Sequence, residues 1–176
     1  MNPETNLFKI KRLARIRNDE NLDFRAYLKE LPFSSRKIDQ VVQKTLREIS
    51  GQIDCTQCAN CCREMQPVLM PADIRRLARE TLLPLKAFTT RYLKNAPAGH
   101  SGMVFKRRPC PFLLNNRCTV YEARPRDCKS YPHLHRRDFV QRTLQAIGNY
   151  ARCPIAFNTY EALKLRLAKR IRPQRS

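Results

Sequence analysis

Four of the chain's eight cysteines fall within eight residues, as Cys55-x2-Cys58-x2-Cys61-Cys62, and no other feature restricts the fold so strongly. Three thiols spaced three residues apart let the backbone curl round one centre, as in loops that hold iron-sulfur clusters, with a fourth thiolate drawn from elsewhere in the chain. Cys55, Cys58 and Cys61 are therefore expected to share a centre. Cys62 follows at once, and because adjacent side chains diverge it is expected to face a second one or to stay free. The remaining cysteines, Cys110, Cys118, Cys128 and Cys153, are widely separated. Cys110 and Cys153 each precede a proline, which restrains the backbone of a ligand. Eight thiolates divide into four and four, enough for two tetrahedral centres holding zinc, iron or an iron-sulfur cluster. The alternative is four disulfides, which about 105 pairings would satisfy.

The compartment bears on that choice. An export signal opens with an apolar run of roughly 7–15 residues. Residues 1–20 instead carry Glu4, Lys9, Lys11, Arg12, Arg15, Arg17, Asp19 and Glu20. No apolar run approaches the about 18 residues that a spanning helix needs, so no membrane span is expected. A cytoplasmic location follows as the expectation. In a reducing compartment, thiols at this density favour metal over disulfides.

Lys and Arg number 35 against 15 Asp and Glu, a formal charge of +20 on 176 residues. The excess is uneven: residues 55–176 hold 24 basic and 7 acidic side chains, a net +17. Anionic thiolate centres would offset part of it. Lys106-Arg-Arg108, Arg136-Arg137 and Lys169-Arg-Ile-Arg172 would also suit phosphates, so a metal-stabilised nucleic-acid-binding protein is an alternative reading. The aromatic interleaving of a single-strand platform is thin.

The fold class expected is mainly α, a small irregular helical domain whose long cysteine-bearing loops are stapled by metal. Leu7, Ile10, Leu13 and Ala14 fall at helical spacing beside a basic side. That pattern suits a helix docked on the domain, and a helix lying on a membrane surface would share it. A second helix spans 22–31 and stops at Pro32. A third starts at Ser34 or Ser35, carries Ile38, Val41, Val42, Leu46 and Ile49 inward, and ends at Gly51. Pro71 and Asp73 open a helix with Ile74, Leu77 and Ala78 inside; Pro84 begins another, with Phe88 and Tyr92 one turn apart. Residues 95–102 read as a loop, 119–121 as a short strand, and 138–147 as a helix ending at Gly148. A last helix is expected from Asn158, with Glu161 in a capping box, Tyr160, Leu163, Leu167 and Ile171 inward, and Lys164, Arg166, Lys169 and Arg170 elsewhere. Residues 1–33 form an N-terminal helical extension and 34–176 the cysteine-cluster metal-binding domain.

Cys55-Thr-Gln-Cys-Ala-Asn-Cys-Cys62, Cys110-Pro-Phe-Leu113, Cys118-Thr-Val-Tyr-Glu-Ala-Arg-Pro-Arg-Asp-Cys128, Tyr131-Pro132 and Cys153-Pro154 together resemble the YkgJ family of cysteine-cluster proteins. The resemblance covers about residues 50–171, and all eight cysteines find a place in it. The family's usual glycine after the second cysteine is Ala59 here. The resemblance implies a zinc- or iron-chelating domain, with iron-sulfur, iron or zinc as the cofactor and Cys55, Cys58, Cys61, Cys62, Cys110, Cys118, Cys128 and Cys153 as ligands. Electron transfer or a structural metal module is the corresponding role, with an unidentified protein or redox partner. Flagellin lysine-N-methylases contain a similar cysteine arrangement, which implies a protein-methylating enzyme as an alternative. Against that stands the lack of a Gly-rich strand-to-helix turn in a chain of four glycines.

Other residues carry weaker signals. His100, His133 and His135 are possible ligands, although eight cysteines already fill two tetrahedra. Tyr121, Arg124 and Pro125 would shape a cysteine loop, with Arg124 donating toward thiolate sulfur. Asp54, Glu64 and Asp127 form no paired-carboxylate signature, and no catalytic residue is legible.

Overall fold

The computed structural model describes residues 2–99 and 101–168, which are mainly helical, with ten helices and two short hairpins. His100 and the end of the last expected helix, Lys169, Arg170 and Ile171, lie outside the described residues. In chain order the structure begins with α1 (Leu7–Ile16), α2 (Asn18–Glu30) and α3 (Ser35–Ser50). The segments α4 (Cys55–Cys58), α5 (Asn60–Glu64), α6 (Pro71–Glu80) and α7 (Leu85–Tyr92) follow. Next come β1 (Leu93–Asn95) paired antiparallel with β2 (Met103–Phe105), then β3 (Leu113–Leu114) with β4 (Arg117–Cys118). Finally, α8 (Arg126–Ser130) leads to α9 (Thr143–Tyr150) and α10 (Pro154–Ala168). Two compact units result: one is the continuous stretch Cys55–Tyr131, the other combines the residues up to Asp54 with those from Pro132 onward.

In the split unit, α10 packs against α3 and α9. Its inward face sets Tyr160, Leu163 and Leu167, all essentially inaccessible, among Ile10, Phe24, Leu28, Ile38, Val42, Phe139 and Tyr150. Tyr160 meets Phe24 edge-on at 5.4 Å and Tyr150 at 5.8 Å, the perpendicular arrangement that aromatic quadrupoles favour. Helix α3 follows its sequence signals: Ser34 caps it by accepting from the Lys37 N–H (3.4 Å), and the Gly51 N–H closes its end on the Arg47 carbonyl (3.1 Å).

Two boundaries differ from expectation. Helix α10 starts at Pro154, four residues before Asn158, because a proline fits the first helical position, where its missing N–H costs nothing. Asn158 is inside the helix and donates to the Pro154 and Glu4 carbonyls (2.8 Å each). Glu161 does not cap; it accepts from the Tyr150 hydroxyl (2.7 Å) and pairs with Arg17 and Lys164. Helix α9 starts only at Thr143 and runs through Gly148. Asp138 sits at φ 56, and buried Asp39 accepts from the N–H groups of Asp138 and Phe139 (2.9 Å each), so those residues form a pinned turn instead of a first helical turn.

The continuous unit has its own core of Leu69, Ile74, Leu77, Ala78, Phe88, Leu93, Phe105, Phe112, Val120 and Ala123. Phe112 stacks parallel to Phe88 at 6.2 Å and meets Phe105 edge-on at 5.6 Å. The strand expected at 119–121 is a turn, and the extended pairing comes earlier, at β3 and β4. Asn115 and Asn116 join those strands at φ 47 and 62. Two successive left-handed residues are what a tight type I′ hairpin demands, and asparagine tolerates them. At the other hairpin, Gly102 has φ 115, and a Cβ there would stand 2.9 Å from the Leu69 carbonyl oxygen. Only glycine lets the two backbones pair, with Met103 and Leu69 exchanging N–H···O bonds of 3.2 and 2.7 Å.

Candidate metal centre

The continuous unit brings four separated cysteines into one electrostatic neighbourhood. Cys62 lies on α5, Cys110 in the loop before β3, Cys118 on β4 and Cys128 on α8. Each of Cys110, Cys118 and Cys128 feels the charge of Cys62, and Cys128 also feels those of Cys110 and Cys118. The backbone makes the first link: the Cys110 N–H donates to the Cys62 carbonyl at 2.8 Å. No disulfide joins any of the eight cysteines.

Distant side chains hold the other members of the group. The guanidinium of Arg63 donates to the Cys58 carbonyl (3.0 Å) and to the side chain of Asn116, fastening the first cysteine turn to the tip of the β3–β4 hairpin. Buried Asp73 accepts from the Arg126 N–H (3.0 Å), the Met70 N–H (3.1 Å) and Arg76 (2.6 Å). Arg76 in turn donates to the carbonyls of Ala123 (3.2 Å) and Arg124 (2.7 Å). Helix α6 therefore grips the start of α8, the helix that carries Cys128. Asp127 adds a weaker tie by accepting from the Val68 N–H at 3.4 Å. The Asp73-x2-Arg76 pair is visible in sequence as an i, i+3 ion pair, but its long-range acceptors are not.

Protonation differs sharply across the group. Hydrogen bonding from Cys61 brings the Cys62 thiol down to about 7 against the opposing effect of burial, with the charges of Arg124 and Arg63 adding to the decrease. Burial pushes Cys110 up to about 11 and Cys128 up to about 12, and neighbouring thiols add to both shifts. Burial also raises Cys118, partly offset by a hydrogen bond from the Val120 N–H and by Arg124. At neutral pH Cys62 is therefore divided between thiol and thiolate, while Cys110, Cys118 and Cys128 are thiols. Cys61 and Cys62 are linked by a side-chain hydrogen bond, although consecutive side chains on a helix are turned by about 100°.

Arg124 is held by Tyr121. It lies over the Tyr121 ring, 3.3 Å from its centroid, and donates from Nε to the Tyr121 carbonyl (2.8 Å), which keeps its charge near Cys62 and Cys118. Cys55 and Cys58 share the single turn of α4, which packs beside β4. Cys153 belongs to the split unit, where it is buried and donates its N–H to the Asn149 carbonyl at 2.9 Å just ahead of α10. His133 and His135 are also in that unit: His133 is buried at φ 65, with its carbonyl accepting from Arg142 (3.0 Å), and His135 is exposed.

The donor set fits a thiophilic metal. Four sulfurs around a divalent ion leave a net charge near −2, and Arg63 and Arg124 supply the local compensation. Among the described residues no three His, Cys, Asp or Glu side chains stand in ligating array.

A family model, described as a zinc- or iron-chelating domain, matches residues 54–149, more than half of the chain. The chain belongs to the CxxCxxCC family. The YkgJ resemblance is consistent with that domain. No curated protein and no solved structure gives a match. Within the CxxCxxCC domain, Ala59 adopts φ 50, a left-handed conformation that glycine would enter without a Cβ penalty. As a CxxCxxCC protein the chain is supported as metal-binding through zinc or iron.

Proposed function

We propose that the protein is a metal-chelating module in which Cys62, Cys110, Cys118 and Cys128 ligate one iron or zinc centre, and that this centre stabilises the irregular part of the continuous unit. The observation that carries the reading is the gathering of four thiols from four separate elements into one charged neighbourhood beside Arg124. Cys55, Cys58 and Cys61 are proposed as ligands of a second centre, on their spacing. When bound, a zinc ion would supply a redox-inert crosslink, and an iron-sulfur cluster an electron-transfer centre. In either case the chain's part is the same. Arg63 and Asp73 orient the ligand-bearing segments, and Arg124 offsets the negative charge that ligand deprotonation creates.

Anaerobic purification from iron-replete cells, followed by metal and acid-labile sulfide analysis of the wild type and of C110S, C118S and C128S, tests the proposal. The three variants should each lose the same metal fraction. Retention of the wild-type metal content in all three overturns the assigned ligand set. Brown protein with sulfide and broad absorption near about 400 nm identifies a cluster, and colourless protein holding zinc identifies the structural form.

A further inference from the structure

Helix α1 presents two faces with different partners. Its inward side buries Ile10 completely and half-buries Leu7, Leu13 and Ala14, which accounts for the apolar stripe legible in the sequence. The opposite side carries Phe8, Lys11, Arg12, Arg15 and Ile16, all exposed, at the i, i+3, i+4, i+7, i+8 spacing of one helical face. Phe8 is 89 % and Ile16 71 % exposed, the largest apolar exposures on the helix, and they stand about 12 Å apart along its axis with Arg12 and Arg15 between them. Docking against the core does not use them. There is no acidic residue anywhere in α1.

We infer that this outer face of α1 is a peripheral anchor for an anionic lipid surface. Guanidinium and ammonium groups would lie at the headgroup level, while Phe8 and Ile16 enter the boundary with the acyl chains. The charge complementarity singles out a phospholipid bilayer: an apolar protein groove would reward Phe8 and Ile16 but not the flanking cations, and duplex nucleic acid would reward the cations alone. Helix α1 is short and its other face is committed to the core, so the contact is one in which the protein lies on the membrane. No helix among the described residues is long and apolar enough to cross one.

The rest of the surface is basic, so attraction to anionic vesicles by itself proves little, and the decisive variant leaves charge untouched. Co-sedimentation of the full chain with vesicles of phosphatidylcholine containing phosphatidylglycerol should show binding, with none to phosphatidylcholine alone. F8S/I16S should bind the mixed vesicles at least about tenfold more weakly, given the transfer free energy of two apolar side chains. K11E/R15E should also lose binding. Circular dichroism and melting should be unchanged in F8S/I16S, since both residues are exposed. Wild-type affinity in F8S/I16S, or absence of vesicle binding in the wild type, overturns the inference. Binding to duplex DNA or to an acidic protein that is equally weakened by F8S/I16S, without vesicle binding, would reassign the face to that partner.

Discussion

At the scale of single residues, two positions meet opposite demands from the left-handed backbone. Gly102 occupies φ 115 with no room for a side chain. G102A should therefore lose about 1–3 kcal/mol of stability, read as a lower denaturant midpoint with unchanged m-value. Ala59 holds a left-handed turn that glycine would adopt without a Cβ penalty. A59G should be neutral to stabilising, by up to about 1 kcal/mol, and a clear loss of stability would show that its buried methyl matters more than its backbone. Asp73 supplies the pH-dependent case. Burial opposes its ionisation, but the N–H groups of Arg126 and Met70 together with Arg76 outweigh burial and hold its carboxyl below the ordinary range. Its stabilising contribution is present above the unfolded carboxylate value, near 3.8, and disappears as the pH falls through the lowered folded value. D73N should lower the melting temperature at neutral pH by the equivalent of about 1–3 kcal/mol, and the gap to the wild type should narrow on acidification below about pH 4.

Among the elements, legibility followed how local each signal is. Helix α3 is readable because cap, apolar spacing and stop all lie inside the same short window, and α6 because Pro71, Asp73 and its apolar spacing do. The start of α10 was not, because Asn158 and Glu161 imitate a capping box while the real entry is Pro154. The β3–β4 hairpin was missed although Asn115-Asn116 carries its turn chemistry, since strands of two residues leave no alternation to detect. The cysteines stand out in the sequence by type and spacing, and adjacency sets Cys62 apart from Cys55, Cys58 and Cys61. Which distant cysteines come near Cys62 is not legible, because that depends on Arg63, Asp73 and Arg76 reaching across 47 to 53 positions of chain. The spacing-based division of ligands makes a prediction at this scale: C58S and C62S should release different metal fractions, because Cys62 is gathered with Cys110, Cys118 and Cys128 while Cys58 sits on α4. Loss of the same fraction from both variants would place the run in a single centre.

For the whole molecule, the two units draw on different sources of order. The split unit has an aromatic and aliphatic core around Tyr160, whereas the continuous unit sets a core of ten residues beside long irregular segments. Stripping the metal with an external chelator should therefore raise amide exchange in 55–131 while α9 and α10 stay protected. Uniform loss of protection would instead make the metal a determinant of the entire fold. The division of the chain also imposes an order on its birth. During synthesis the stretch Cys55–Tyr131 leaves the ribosome whole, whereas α1, α2 and α3 must wait for α9 and α10 before their apolar faces are covered. The nascent chain therefore carries the whole continuous unit while the other unit's hydrophobic surface is still open, and the time needed to make α9 and α10 sets how long that surface stays exposed to aggregation.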